Sequence, residues 1–324
     1  MGNEACKDCH KTEFLAHKDT NHAHTLHFLD RDELGKNFPP TRKCAGTDIV
    51  PTEKNKELIL TLADQPGDSL PIDLAFDSEK TGMANVALLG AQTVELHKSY
   101  FPKFNKWYIS PGRETQKADD VGMIHTSEVT WECILCHAST LAESNPKPER
   151  RFFGVGCESC HGAGGAHVLA MKGESSKTKT DGNALGKMES LGKVDATSLN
   201  NLCGKCHREV QSVNLSTQQA TMTNRFQAYG LMKSRCYLKS GKSLSCLNCH
   251  DPHVNSSKNL ASYEKACLNC HSSQKAQPNL PREFLFKTCP VNTTRGGIPC
   301  HMPKRAVFPK SIVPTFTADH YQDC

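Results

Sequence analysis

Two cysteines separated by two residues and followed at once by a histidine occur six times in the chain. The sites are Cys6, Cys9 and His10; Cys133, Cys136 and His137; Cys157, Cys160 and His161; Cys203, Cys206 and His207; Cys246, Cys249 and His250; and Cys267, Cys270 and His271. In a C-x-x-C-H run the two thiols can add to the vinyl groups of a porphyrin, while the next residue offers an imidazole to its iron. Other chemistries also use paired cysteines. A thioredoxin-like redox pair is normally solitary and opens a helix in a βαβ unit, a setting absent here. Cys133 and Cys136 with Cys157 and Cys160 could supply four thiolates to zinc, but zinc makes no demand on the residue after the second cysteine. Iron–sulfur spacings carry no such histidine either. The sixfold repetition of that histidine selects covalent haem (heme c).

A seventh site is degenerate. Cys300-His301 has Gly297 where the first thiol of a regular motif would stand, and Cys289 lies twelve positions before His301. The stretch reads either as C-x10-C-H or as a site with one thioether. In both readings His301 is a proximal ligand, and seven haems are expected.

The remaining histidines must supply the opposite faces. Sixteen are present, and removing the seven above leaves His17, His22, His24, His27, His97, His125, His167, His253 and His320. Seven irons with paired imidazoles would use seven of these nine. The candidates are His22, His24, His97, His125, His167, His253 and His320. Such a surplus favours mostly paired imidazoles and low potentials, because methionine ligation raises the potential and nothing places a methionine in a ligand loop. It leaves room for one five-coordinate iron. His167 and His253 stand too close to His161 and His250 to reach the far face of the same haem, so each is expected to cross to another.

The elements around these sites are thin in ordinary core material. Of 324 residues, 37% are apolar and 6% aromatic, and the 22 Gly and 17 Pro break up long elements. The porphyrins themselves fill that deficit. The expected fold class is a haem-cored multihaem cytochrome c of short α-helices and loops with a small β-rich insert, barely folded without haem. Three parts are expected: 1–35 as the first haem segment, 36–116 as a haem-free β-rich insert, and 117–324 carrying the remaining haems. Leu15, His22, Leu26 and Leu29 recur at helical offsets within 11–31, which places His22 on the apolar stripe of a helix. Residues 56–63, 86–96 and 107–112 read as strands or strand ends between turn residues. Residues 172–198, polar and rich in Lys, Ser, Thr and Gly, read as an exposed loop.

The formal charge of +5 changes once propionates are counted. Each oxidised haem adds about −1 and each reduced one about −2, so seven bring the protein to about −2 oxidised and about −9 reduced. The basic residues are thus partners for propionates, and nothing here points to nucleic acid. No apolar run is long enough to span a membrane. Haem attachment of this kind takes place outside the bacterial cytoplasm, so a periplasmic or extracellular location is expected, with the targeting segment missing from this sequence.

Several longer stretches resemble one family. They are His22-Ala23-His24-Thr25-Leu26, 107–112 with its Ser-Pro-Gly, 154–168, 234–253, 289–303 and 316–320. The chain is similar to the bacterial multihaem cytochromes that include the tetrahaem electron carrier of ammonia oxidation, and especially to longer planctomycete-type relatives. The resemblance implies that His22, His167, His253 and His320 are distal ligands. Here Ala318 intervenes in the family's Thr-Asp-His tail. It also implies a Cys236–Cys289 disulfide, which would leave the seventh haem attached through Cys300 alone. The family pattern has Cys where Gly297 stands.

The expected function is electron relay between periplasmic or extracellular redox protein partners, within a homo-oligomer or a larger cytochrome complex. One alternative is an oxidoreductase acting on a small inorganic nitrogen or sulfur compound at a five-coordinate haem. The C-x-x-C-K motif of multihaem nitrite reductases is absent. Another alternative is a subunit of a haem filament.

Overall fold

In the computed structural model the described residues are 1–28, 49–54, 57–62, 65–76, 82–90, 92–101, 104, 106–110, 113, 122–139, 149–173, 190–208, 226–271, 297–306 and 316–318. The chain divides into two compact units. Unit 1 is Met1–Glu189 with Lys310–Val313, and unit 2 is Ser190–Pro309 with Pro314–Cys324. Among the described residues the fold is mixed α and β, with short helices and a small β-sheet insert.

Unit 1 opens with a 3-10 turn over Asn3–Cys6 and helix α1 over Lys11–His17, which buries Phe14 and His17. The helix expected through residue 31 stops at His17. Thr20 Oγ donates to the His17 carbonyl at 2.7 Å and accepts from Ala23 N at 3.2 Å. A hydroxyl thus takes over bonds that a continuing helix would make through its backbone. His22 consequently lies on a 3-10 turn, His22–His24, followed by β1, Leu26–Phe28.

The insert supplies most of the strands. β2 (Ile49–Lys54), β3 (Glu57–Leu62) and β4 (Gln65–Pro71) form one antiparallel sheet. β5 (Leu74–Phe76), β6 (Ala84–Leu89) and β7 (Gln92–Leu96) continue the chain, and β8 (Lys98–Phe101) pairs with β9 (Lys106–Ile109) as a hairpin. β10 (Gly122–His125) follows. A five-stranded sheet runs β1-β5-β6-β7-β10, so both its edges come from outside 36–116. Helix α2, Ser127–His137, lies against β7 and joins it through a buried hydroxyl pair, Thr93 with Thr130 at 3.1 Å. Leu26, Leu74, Phe76, Val86, Ile134 and Ala138 form the core between them. Full burial of each large apolar side chain there stabilises by about 1.5–3 kcal/mol. Two one- to two-turn helices complete the described part, α3 (Cys157–His161) and α4 (Gly165–Met171). Gly154, at φ 78°, lets this segment lie on the turn at His22, since a Cβ there would strike the Ala23 carbonyl.

Unit 2 is sparser. Asp195 caps α5 (Ala196–His207), accepting from Ser198 N at 3.0 Å. Then come α6 (Gln227–Lys233), α7 (Arg235–Lys239) capped by Ser234, and a 3-10 turn at Cys246–Asn248. α8 (Leu260–His271) and α9 (Gly297–His301) precede an antiparallel pair, β11 (Lys304–Ala306) with β12 (Phe316–Ala318). Among the described residues its buried apolar side chains are Leu199, Ala228, Tyr237 and Ile298. α8 buries none.

Candidate haem sites

Four complete motifs are helical. Those at His137, His207 and His271 close α2, α5 and α8, and that at His161 is α3 itself. A helix puts residues three and four apart on one face, so both thiols and the imidazole of each motif share a side. The motifs at His10 and His250 begin on 3-10 turns, where the bond from His10 N to Cys6 O (2.9 Å) and that from His250 N to Cys246 O (2.9 Å) produce the same clustering. All twelve thiols are unbridged and at least partly exposed, as covalent attachment requires. Among the described residues no three His, Cys, Asp or Glu side chains converge on one point.

The proximal imidazoles are prepared for iron. His137 Nδ1 donates to the Thr25 carbonyl at 2.8 Å, and Phe76 meets its ring edge-on at 5.1 Å. That bond fixes the tautomer and leaves Nε2 as the ligand atom, the usual second partner of a metal-bound histidine. His207 Nδ1 faces Gln227 Oε1 at 3.3 Å. Burial holds His207, His250 and His271 below the usual imidazole range, helped at His250 by the charge of His207 and at His271 by that of His301. Neutral imidazole is the form iron binds.

In unit 1 the first and third motifs lie together. Cys157 N donates to Asn3 Oδ1 at 2.9 Å, and burial together with the neighbouring Cys6 pushes the Cys157 thiol up to about 11. Glu158 is buried inside the third motif and accepts from Met1 N at 2.9 Å, Gly2 N at 3.0 Å and Gly164 N at 2.8 Å. Burial alone would raise its carboxyl, but these donors outweigh it and hold the group below the usual range. His10 and His167 face each other with ring centroids 6.3 Å apart and planes 31° apart. Two metal–nitrogen bonds of about 2 Å and two half-rings of about 1 Å give roughly 6 Å for imidazoles on opposite faces of one iron. The pair fits that requirement.

The other candidates separate by what their ring nitrogens do. His97 is 1% exposed, and neither ring nitrogen has a hydrogen-bond partner among the described residues. A buried imidazole in that condition suits a metal bond. His253 binds Asp251 through Nδ1 at 3.0 Å. His24 and His27 instead spend Nε2 on the carbonyls of Lys18 (2.9 Å) and His24 (2.8 Å). His125 Nε2 meets Glu95 at 2.8 Å, and Arg113 pairs with the same carboxylate. The backbone of His22 accepts from Val155 N at 2.8 Å, beside the third motif. His320 lies outside the described residues.

At the degenerate site Gly297 stands one helical turn before His301 in α9, and a Cβ on it would lie 3.7 Å from the His301 ring, ordinary contact. Cys236, on α7, is disulfide-bonded. Its expected partner, Cys289, lies outside the described residues. Sequence reasoning missed Asn200, which is fully buried on α5 and ties the fifth motif to the fourth. Its Oδ1 accepts from Cys246 N at 3.0 Å and its Nδ2 donates to Leu244 O at 3.0 Å. Asn at position i−3 from a motif cysteine was the only available signal.

A family model described as cytochrome c554 and c-prime matches residues 5–57 and 94–162. No curated protein matches. Two solved structures are similar. One is the outer cell wall cytochrome OcwA, with 17% identity, 78% of this chain and 56% of that one covered, and a TM-score of 0.42. The other is the undecahaem cytochrome from the S-layer of Carboxydothermus ferrireducens, with 16% identity, 85% and 43% covered, and a TM-score of 0.45. The chain thus spans about half the length of the solved cytochromes it matches. The two segments that the family model matches carry the C-x-x-C-H motifs at His10, His137 and His161, so in that part of unit 1 the chain is similar to the cytochromes the model describes.

Proposed function

We propose that this protein is a seven-haem electron-transfer cytochrome that works outside the cytoplasm between redox protein partners. The observation that carries the reading is the facing pair His10 and His167 at 6.3 Å. Two imidazoles on one iron leave no position for a substrate, and a closed iron exchanges electrons without binding anything. Bound haem supplies one-electron chemistry at iron, and the protein supplies ligands, orientation and burial. Here His137 is oriented by Thr25, the fifth motif is fastened by Asn200, and His97 stands buried with no hydrogen-bond partner for its ring nitrogens among the described residues. Cys300 and His301 on α9 hold the seventh haem through a single thioether, with Cys236 bridged to Cys289. His22, His97, His167, His253 and His320 are the distal ligands in this reading. His24 and His125 are the weaker candidates, since carbonyl and carboxylate oxygens hold their Nε2 atoms.

Intact mass and low-temperature electron paramagnetic resonance of the oxidised holoprotein test the reading together. A mass of seven haems and overwhelmingly low-spin iron are expected. His167→Ala should convert one low-spin iron to high-spin and open it to carbon monoxide on reduction. A stoichiometric high-spin signal in the unsubstituted protein that responds to nitrite, hydroxylamine or sulfite would overturn the carrier reading. A mass of six haems would remove the site at His301.

A further inference from the structure

On the reading that His10 and His167 ligate one iron, we infer that Glu158, inside the third motif, positions both imidazoles. One carboxylate oxygen holds the helix that carries His167, and the other holds the turn that leads to His10. Glu158 stands between Cys157 and Ser159, and its side chain is only 3% exposed. Its two oxygens face different elements. Oε1 accepts from Gly164 N at 2.8 Å, while Oε2 accepts from Gly2 N at 3.0 Å and from Met1 N at 2.9 Å. Acceptance at both oxygens is the behaviour of an ionised carboxylate.

Each glycine held in this way starts one of the two ligand-bearing elements. Gly164 immediately precedes α4, whose first backbone bond runs from Val168 N to Gly164 O at 2.9 Å, and His167 lies within that turn. Gly2 immediately precedes the Asn3–Cys6 turn, which Ala5 N closes on Gly2 O at 3.3 Å, and Cys6 O in turn accepts from His10 N at 2.9 Å. In a capping box a glutamate accepts from the backbone N–H that precedes its own helix. Glu158 makes that bond from outside, to two elements at once. Gly2, at φ 84°, is packed so closely that a Cβ would lie 2.7 Å from the Arg151 carbonyl, which fixes where its N–H points. The bond from Cys157 N to Asn3 Oδ1 also joins the first turn to the third motif, but it does not engage α4. Through Glu158 the two elements share one anchor, and the rings they carry face each other at 6.3 Å with planes 31° apart.

Electron paramagnetic resonance of the oxidised holoprotein reads the arrangement, because the g-values of a low-spin iron follow the angle between its two imidazole planes. His167→Ala identifies the first haem's signal as the one it removes from the low-spin set. Glu158→Gln keeps one acceptor oxygen and puts an amide donor where the other stood, facing a backbone N–H. The expected result is a shift of the first haem's signal that exceeds the shift of any other, with the haem mass unchanged. Glu158→Asp keeps the charge and shortens the reach by one methylene. It is expected to move the same signal, and it carries the test if the glutamine variant does not fold. A first-haem signal that stays in place in both variants, or moves less than another, would overturn the role given to Glu158. A signal that moves with glutamine and stays with aspartate would overturn it too, since charge rather than reach would then be at work. If His167→Ala removes no low-spin signal, the ligand pair itself fails and the role of Glu158 with it, so the two failures are told apart.

Discussion

In unit 1 a haem site is held by groups from far along the chain, whereas in unit 2 it is held by the next site. The Thr25 carbonyl that orients His137 is 112 residues away, and Asn3, which binds Cys157 N, is 154 residues away. Thr25 adjoins Leu26, part of a core of sheet and helix in which Leu74 and Ile134 are fully buried. In unit 2 the tie from Asn200 to Cys246 spans 46 residues, and α8 carries its motif without burying a side chain. Long-range positioning needs a scaffold that stands by itself. Neighbour-to-neighbour positioning needs only the neighbour, and here each neighbour is a haem site. The two units therefore depend on cofactor to different degrees.

Protein made without haem attachment separates them most sharply. Amides of β5 to β7 should keep their exchange protection, while those of α5, α8 and α9 should exchange freely. Equal loss in both units would break the comparison. Next in size, Leu74→Ala removes a fully buried side chain from unit 1 and should cost about 2–5 kcal/mol in denaturant unfolding. The haem count by mass should not change, and any lost haem would mean that the core and the sites are not separable. Smallest is Asn200→Ala in unit 2, which strands Cys246 N–H and the Leu244 carbonyl and should cost about 1–3 kcal/mol. It should also move the potentials of the haems at His207 and His250 and leave unit 1 untouched. A silent Asn200→Ala would show that covalent haem holds this junction unaided.

The haem motifs were legible in the sequence because the chemistry is local: five consecutive residues make each attachment. The β-branched and apolar runs at 56–63, 86–96 and 107–112 were legible for the same reason, and they overlap the strands Glu57–Leu62, Ala84–Leu89, Gln92–Leu96 and Lys106–Ile109. What stayed hidden depends on groups that meet across the chain. Thr20 ends α1 through one hydroxyl, so the helical spacing through Leu29 misled. The sheet takes its edges, Leu26–Phe28 and Gly122–His125, from outside the segment that reads as β-rich. Nothing in sequence order announces that His167 faces His10, or that Glu95 occupies His125. The division at Glu189 was equally invisible, since residues on either side of it are similarly polar.

The bond from Cys157 N to Asn3 also fixes an order of assembly. A chain made from its N-terminus delivers Cys6 first and Asn3 with it, yet that segment has nothing to close against until Cys157 has followed. Contacts of such separation form late, because the intervening loop must be closed before they repay it. The earliest thiols to emerge thus stay accessible longest to whatever joins haem to them. In unit 2 each new motif meets a finished predecessor only tens of residues behind, so its sites can close one after another as the chain appears.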